Sequence, residues 1–205
     1  LWSIPVLYKN KENPFIQEVA FTGRYQGQIF NLNSNDGSAG GWQNRRQRFG
    51  GKVKFLNDFE AYIDFNLNFN GANTGRFVQN YEGFGLKWKP ADAFNLEAGL
   101  LKVPITNEWR TSSKQIITLE RSDFINSAIS DKLGGILAEG KVSDGFTKDG
   151  KLTYGAGIYT ATRSEDWAYP TFDGGSVIYA GVGYEFNKNH SLRYDNSFLV
   201  GNTDV

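Results

Sequence analysis

Strict alternation of apolar and polar residues is the feature of this sequence that most constrains its fold. In the stretch QNRRQRFGGKVKF, residues 43–55, Phe49 and Val53 belong to an apolar set and Arg48 and Lys52 to a basic set. Successive side chains of a β-strand point to opposite faces, so such a strand has one basic face and one apolar face. The stretch therefore predicts a β-strand whose two faces meet different environments.

The same alternation recurs along the chain, most clearly in residues 60–70, 152–159 and 178–186. The first of these runs has about ten residues, the length that a tilted strand needs to cross a bilayer. Aromatic residues make up 15% of the chain, with 24 Gly and no Cys, which favours an all-β protein without disulfide or thiol chemistry. No run approaches the length of a transmembrane helix, so strands would have to do the crossing.

Short and long connections mostly alternate between these strands. Residues 56–60 and 90–95 are short links, whereas residues 31–42, 104–133 and 160–175 are long. This pattern is typical of outer-membrane barrels, with turns at the periplasmic end and loops outside. We therefore predict an all-β, transmembrane antiparallel β-barrel. Roughly nine strands fit in the sequence, and because bacterial barrels have even counts, we expect residues 1–205 to be the N-terminal portion of a single barrel domain.

On this interpretation the polar face of each strand lines an aqueous lumen. Rows of Lys and Arg select anions, since they replace hydration with positive charge and N–H donors. The alternative is a face balanced by acids such as Glu60, Asp64 and Glu97, without a transport preference. The predicted pore-lining and anion-binding residues are Arg24, Arg46, Arg48, Lys52, Lys54, Lys87 and Lys102.

Residues 104–133 form a connection of some 30 residues without a strand pattern, and a loop of that length is rare in a compact protein unless it is functional. In a porin such a loop would fold inward and constrict the channel, although Glu108, Glu120 and Asp123 would bias the same space negatively. The alternative is an external lid or a subunit contact. The predicted constriction-loop donors are Arg110, Ser112, Ser113, Lys114 and Arg121.

The stretch GLLKVPITNEWRTSSKQIITLERSDF, residues 99–124, resembles the G-x-x-K-x-P … E … S-S … E-R-S pattern of the phosphate-selective porin O and P family. The basic strand that contains Arg46 and Arg48, followed by a short turn and DFEAYIDFNLNF, resembles an early hairpin of that family. The residues that match the longer pattern are Lys102, Pro104, Glu108, Ser112, Ser113, Glu120 and Arg121.

This resemblance implies a homotrimeric porin with about 16 strands in the full chain, embedded in outer-membrane lipid of a Gram-negative-type bacterium. It also implies anion conduction through an Arg/Lys-lined channel with the third loop folded inward. The expected function is passive conduction of small solutes, with a preference for anions such as phosphate.

Other functions fit the sequence less well or remain as alternatives. With 22 Lys+Arg against 22 Asp+Glu, no global field points to nucleic acid. We expect no enzyme and no cofactor, since His190 is the sole His; adventitious Ca²⁺ on the external loop around residues 31–37 is the one exception. The alternatives are an unselective general porin, a structural or partner-binding barrel, and a secreted soluble protein that binds a polyanionic glycan.

Overall fold

The computed structural model describes residues 5–35, 37–68, 76–111, 122, 132–143, 150–161, 171–187 and 190–201. These residues form one antiparallel sheet in which the order of the strands is their order along the chain. The elements are β1 Val6–Lys9, β2 Ile16–Ser34, β3 Gly37–Phe55, β4 Phe59–Leu67, β5 Val78–Ala91, β6 Phe94–Leu101, α1 Asn107–Arg110, β7 Leu133–Ser143, β8 Lys151–Thr160, β9 Ser176–Asn187 and β10 His190–Val200.

The predicted all-β antiparallel fold is confirmed. The described residues contain ten strands, one more than the roughly nine that the sequence suggested. The missed strand is β1, whose four residues VLYK are too few to show an alternating pattern. Within the described ranges, no helix is long and apolar enough to cross a membrane.

The chain divides into two compact units, Leu1–Phe84 and Gly85–Val205. In the first unit, β2 and β3 pair along their whole length, with Phe21 opposite Gly51 and Arg24 opposite Arg48. Phe21 and Phe49 contact each other with ring centroids 5.3 Å apart, on the face that also exposes Ile29. We call this the apolar face and its reverse the polar face. The polar face of the first unit carries Glu18, Thr22, Arg24, Gln26, Arg46, Arg48, Gly50, Lys52, Lys54, Glu60, Tyr62, Asp64 and Asn66.

The β2–β3 hairpin has a polar belt partway along its apolar face. The Tyr25 hydroxyl and the Trp42 indole N–H both donate to Asn44 Oδ1, at 2.7 Å and 2.9 Å. Beyond this belt the first seven residues of β3, residues 37–43, are exposed on both faces. The end of the hairpin therefore packs against little else in the described part of the unit.

The second unit follows the same alternation, with Leu86, Ile136, Leu152, Ile158 and Val182 exposed on its apolar face. Its polar face carries Lys87, Glu97, Glu139, Lys141, Thr153, Glu185, Arg193 and Asp195, together with the glycines that are opposite them in the register.

Part of the polar face in the second unit is nevertheless apolar. Leu133, Leu137, Tyr159 and Tyr179 lie at polar-face positions of β7, β8 and β9, and all four are buried in one cluster with Leu101 and Val103. They are covered by the segment that follows β6, whose Ile105 packs against the cluster. Residues 103–111 thus lie on the polar face, where we define them as the inner segment.

Substitution of Gly50 tests the packing of the polar face in the first unit. A Cβ at Gly50 would overlap the Ile63 carbonyl oxygen and the Asp64 carboxylate, and would lie 2.8 Å from Asp64 Cα. Gly50→Ala should destabilise the protein by about 1–3 kcal/mol, the usual cost of overpacking, seen as a lower midpoint of thermal unfolding in detergent.

The neighbouring Gly51 provides the control, because the closest atom to its added Cβ is the Ala20 carbonyl oxygen at an ordinary 3.7 Å. Gly51→Ala should leave the unfolding midpoint close to that of the parent. Equal midpoints for the two variants would show that the close contacts at Gly50 are wrong.

Candidate functional site

The structure brings five of the predicted pore-lining cations together on the polar face of the first unit. Arg48 lies between Arg24 of β2 and Asn66 of β4 in the register of the sheet. Arg46 lies opposite Gln26, one step further along the same two strands. Toward the short-turn end, two further cations follow at alternate positions of β3, and these are Lys52 and Lys54.

Ion pairs between described residues join several of the predicted cations to carboxylates of the same unit. Lys52 Nζ lies 2.7 Å from Glu18 Oε1, and Arg48 Nη1 lies 2.8 Å from Glu82 Oε1. The other two pairs are Lys54 with Glu60 at 3.9 Å and, in the second unit, Lys87 with Glu97 at 3.4 Å.

Two of these acids, Glu60 and Glu97, were expected from the sequence as counter-ions. The third expected acid, Asp64, accepts a hydrogen bond from the Thr22 hydroxyl. Glu18 and Glu82 were missed, because naming them requires the register between strands and not the pattern within one strand. Among the ion pairs of these four cations, the two shortest are therefore the ones that sequence reasoning did not find.

Arg24 and Arg46 converge on one neutral oxygen atom. Arg24 Nη2 donates to Gln26 Oε1 at 2.8 Å, and Arg46 Nη1 donates to the same oxygen at 3.0 Å. Two guanidinium groups that share one acceptor form the donor geometry that an oxyanion oxygen would also satisfy.

Arg48 lies beside this pair and is oriented by amides as well as by Glu82. Its Nε donates to Asn66 Oδ1 at 3.1 Å, and the Asn66 amide donates to Asn80 at 2.8 Å and to Glu82 at 3.2 Å. A guanidinium held through both Nε and Nη1 has little rotational freedom, so this part of the polar face is preorganised.

The seventh predicted cation, Lys102, lies in the second unit and contacts the inner segment. Its Nζ is 3.4 Å from the Trp109 carbonyl oxygen and 4.7 Å from the centroid of the Trp109 ring. Trp109 belongs to α1, which begins after the N-cap Thr106, whose hydroxyl accepts from Trp109 N at 3.1 Å. Lys102 therefore supports the inner segment through a hydrogen bond and a cation–π contact.

Arg110 is the constriction-loop candidate that the structure describes. It lies at the end of α1, and its guanidinium contacts Glu139 Oε1 at 3.3 Å and the Tyr179 hydroxyl at 3.5 Å. Glu108 accepts hydrogen bonds from Ser122 N at 2.7 Å and Ser122 Oγ at 3.0 Å. The other four predicted donors, Ser112, Ser113, Lys114 and Arg121, lie outside the described residues.

Sequence reasoning missed a buried polar cluster beneath Arg110. The Tyr179 hydroxyl donates to Asp195 Oδ1 at 2.6 Å and accepts from Arg193 Nη2 at 2.6 Å, and Arg193 Nε pairs with the same Asp195 oxygen at 2.8 Å. The available signal was an aromatic residue in the polar set of an alternating strand, which occurs at Tyr159 and Tyr179. Arg193 also borders a cavity of about 540 Å³ together with Arg110.

Two further ion pairs lie nearer the short-turn end of the second unit. Lys141 Nζ lies 2.6 Å from Glu185 Oε1, joining β7 to β9. Lys89 lies 2.9 Å from Asp92 in the β5–β6 turn, and its hydrogen bond holds the pKa of Asp92 below the ordinary value. Within the described ranges, no group of three or more His, Cys, Asp or Glu residues is placed to hold a metal ion.

Comparison with known proteins adds one match. The model of the family described as phosphate-selective porin O and P matches residues 19–169. The matched range begins in β2, extends past β8 and includes the basic strand β3 and the inner segment. A comparison with curated proteins found no match.

Two ion pairs of β3, Lys52 with Glu18 and Lys54 with Glu60, differ in distance and exposure. This difference predicts how much each pair contributes to stability. The Glu18 side chain is 12% exposed and contacts Lys52 at 2.7 Å, whereas Glu60 is 27% exposed and lies 3.9 Å from Lys54. Glu18→Gln should cost about 1 kcal/mol of unfolding free energy and Glu60→Gln less than about half of that, because a short and shielded charge-assisted hydrogen bond contributes more than a loose pair.

Thermal unfolding of the two variants in detergent measures this difference. Both substitutions remove one negative charge and keep the side-chain shape, so their general electrostatic effects are matched. A larger loss for Glu60→Gln than for Glu18→Gln would contradict the ranking.

Proposed function

Because this chain belongs to the phosphate-selective porin O and P family, we propose that it conducts small solutes passively, with a preference for anions such as phosphate. The family consists of outer-membrane porins, which are channels and not enzymes, and whose β-barrels cross the membrane with their strands. The all-β antiparallel sheet of this chain fits that architecture. Conduction of this kind needs no cofactor.

The two faces of the sheet support the division into lipid and lumen. Large apolar side chains such as Phe49 in the first unit and Ile136 in the second are 47% and 49% exposed, which is costly in water and favourable against lipid. The opposite face carries the ion pairs and amides. We therefore assign the apolar face to outer-membrane lipid and the polar face to the aqueous lumen.

The observation that carries the anion preference is the convergence of Arg24 and Arg46 on Gln26 Oε1. A phosphate oxygen could take the place of the amide oxygen as a stronger, charged acceptor for the same two donors. Arg48 lies beside Arg24 in the register and adds a third guanidinium at this level. We propose these three arginines as the anion-recognition site of the lumen.

The ion pairs favour a second candidate, an unselective general porin. Arg48, Lys52, Lys54 and Lys87 each have a carboxylate oxygen within 4 Å of the charged nitrogen. A wall of closely paired charges presents little net field to a passing ion. Selectivity for anions would then be weak or absent.

The inner segment is the proposed constriction. Residues 103–111 lie on the face that we assign to the lumen, and Arg110 projects a cation there. The proposal extends to Ser112, Ser113, Lys114 and Arg121 on the grounds of the sequence pattern, and to a homotrimer on the grounds of the family.

The test is the zero-current potential of the full-length protein in a planar bilayer under a KCl gradient, repeated with added phosphate. The parent should show a chloride-favouring potential and current block by phosphate. Arg24→Ala and Arg46→Ala should each raise the phosphate concentration for half block by about tenfold, the loss expected for one charge-assisted hydrogen bond.

Lys11→Ala is the matched control, because it removes one positive charge from the exposed β1–β2 turn. It should leave both the potential and the block unchanged. A parent without selectivity would identify an unselective porin, and a parent without conductance would favour the structural or partner-binding barrel.

A further inference from the structure

We propose that Arg110 is a positioning residue of the channel, which fastens the inner segment to the wall and so fixes the part of the lumen that this segment occupies. The inference rests on the proposed function for its effect on conduction, but its structural part stands on the contacts of the second unit. It concerns the described residues 103–111 and the strands β7 to β10 beneath them.

The apolar contacts of the inner segment hold it against the sheet without fixing its direction. Val103 is 4% exposed and Trp109 is 6% exposed, and Val103 packs with Leu133, Leu137 and Tyr159. Apolar burial is strong but non-directional. Directional contacts are needed to hold the segment at one place along the strands, and Lys102 supplies one of them through its hydrogen bond to the Trp109 carbonyl oxygen.

Arg110 supplies a further directional contact by reaching two strands that are not neighbours. Glu139 belongs to β7 and Tyr179 to β9, with β8 lying between them in the sheet. A planar guanidinium that donates through Nη1 and Nη2 to two fixed acceptors defines a direction as well as a distance. The end of α1 is thereby fixed across three strands.

The strand between these acceptors, β8, has glycine on its polar face at this level. In the register, Glu139 lies opposite Gly155, and Gly155 lies opposite Gly181. A Cβ at Gly155 would lie 3.3 Å from the Tyr179 ring, slightly closer than an ordinary contact, and 3.4 Å from Glu139 Cγ. The glycines therefore leave room for both acceptors to lie flat on the sheet.

The Tyr179 acceptor is itself held from the other side. Its hydroxyl is fixed by Asp195 and Arg193 at 2.6 Å each, and Arg193 Nη1 also donates to Thr153 Oγ1 at 3.3 Å. The chain of contacts thus runs from the inner segment through Tyr179 to β10 and β8. Because Tyr179 is anchored in this way, its contact with Arg110 holds the inner segment at a fixed position relative to the strands.

The absence of Cys from the chain allows a direct test in the full-length protein. Thr111→Cys places a single thiol next to Arg110, on a residue that is partly buried. Its rate of modification by a water-soluble thiol reagent should rise about tenfold when Arg110→Ala is added, because release of the two long hydrogen bonds to Glu139 and Tyr179 raises the open population by that factor.

Glu139→Gln is the second variant, and it keeps the proposal testable if Arg110→Ala fails to fold. The two substitutions together should raise the modification rate no further than Arg110→Ala alone, since the contact with Glu139 is already lost in that variant. Arg110→Lys, which keeps the charge but loses the fork, should give an intermediate rate. In planar bilayers, Arg110→Ala should also broaden the distribution of single-channel conductances.

Lys141→Ala is the matched control. Its pair with Glu185 joins β7 to β9 at 2.6 Å on the same face, but neither residue has a hydrogen bond to the inner segment among the contacts described above. An unchanged thiol rate in Arg110→Ala, or an equal rise in Lys141→Ala, would overturn the positioning role. If Arg110→Ala raises the thiol modification rate but the parent protein does not conduct, the contacts of Arg110 are supported. The role of Arg110 in a channel and the proposed function are then overturned.

Discussion

Backbone pairing between antiparallel strands is the constraint on which the rest of this structure depends. Once neighbouring strands share a register, every second side chain is committed to the same face, and a change of one position would exchange the two environments completely. The basic strand β3 shows the consequence, since its cations and its aromatic residues are separated without any tertiary contact being required. The alternation of side chains along the strands therefore places the charged residues on one face, whatever ion pairs they then form.

The same geometry sets what those charges can do. Carboxylates from β2, β4 and β5 enter the face at positions adjacent to the cations of β3, and the closest of them form short pairs. Positive charge on the face is thus locally compensated at several cations. Where Arg24 and Arg46 meet, both guanidinium groups donate to one neutral amide oxygen. A preference for anions would therefore depend on the arrangement of these charges, and not on the number of cations on the face.

The sequence predicted the faces of the strands well and their partners poorly. Alternation is local, so the all-β fold and the gathering of Arg24, Arg46, Arg48, Lys52 and Lys54 on one face followed from the residues alone. The partners Glu18 and Glu82 depend on register between strands, and β1 is too short to carry a period. Leu137, Tyr159 and Tyr179 break the polar alternation, and only the inner segment that covers them explains why.

The length of the β2–β3 hairpin has a consequence for what meets the protein from outside. A strand of 19 residues is about 60 Å long at about 3.3 Å per residue, well beyond the roughly 25 Å apolar band of a membrane barrel even when tilted. The first seven residues of β3, which are exposed on both faces beyond Asn44, are then open to an antibody, a protease or a phage. Their sequence begins with GSAGG, which offers such a ligand little side-chain chemistry and mostly backbone, so recognition there would read shape and hydrogen-bonding groups more than charge.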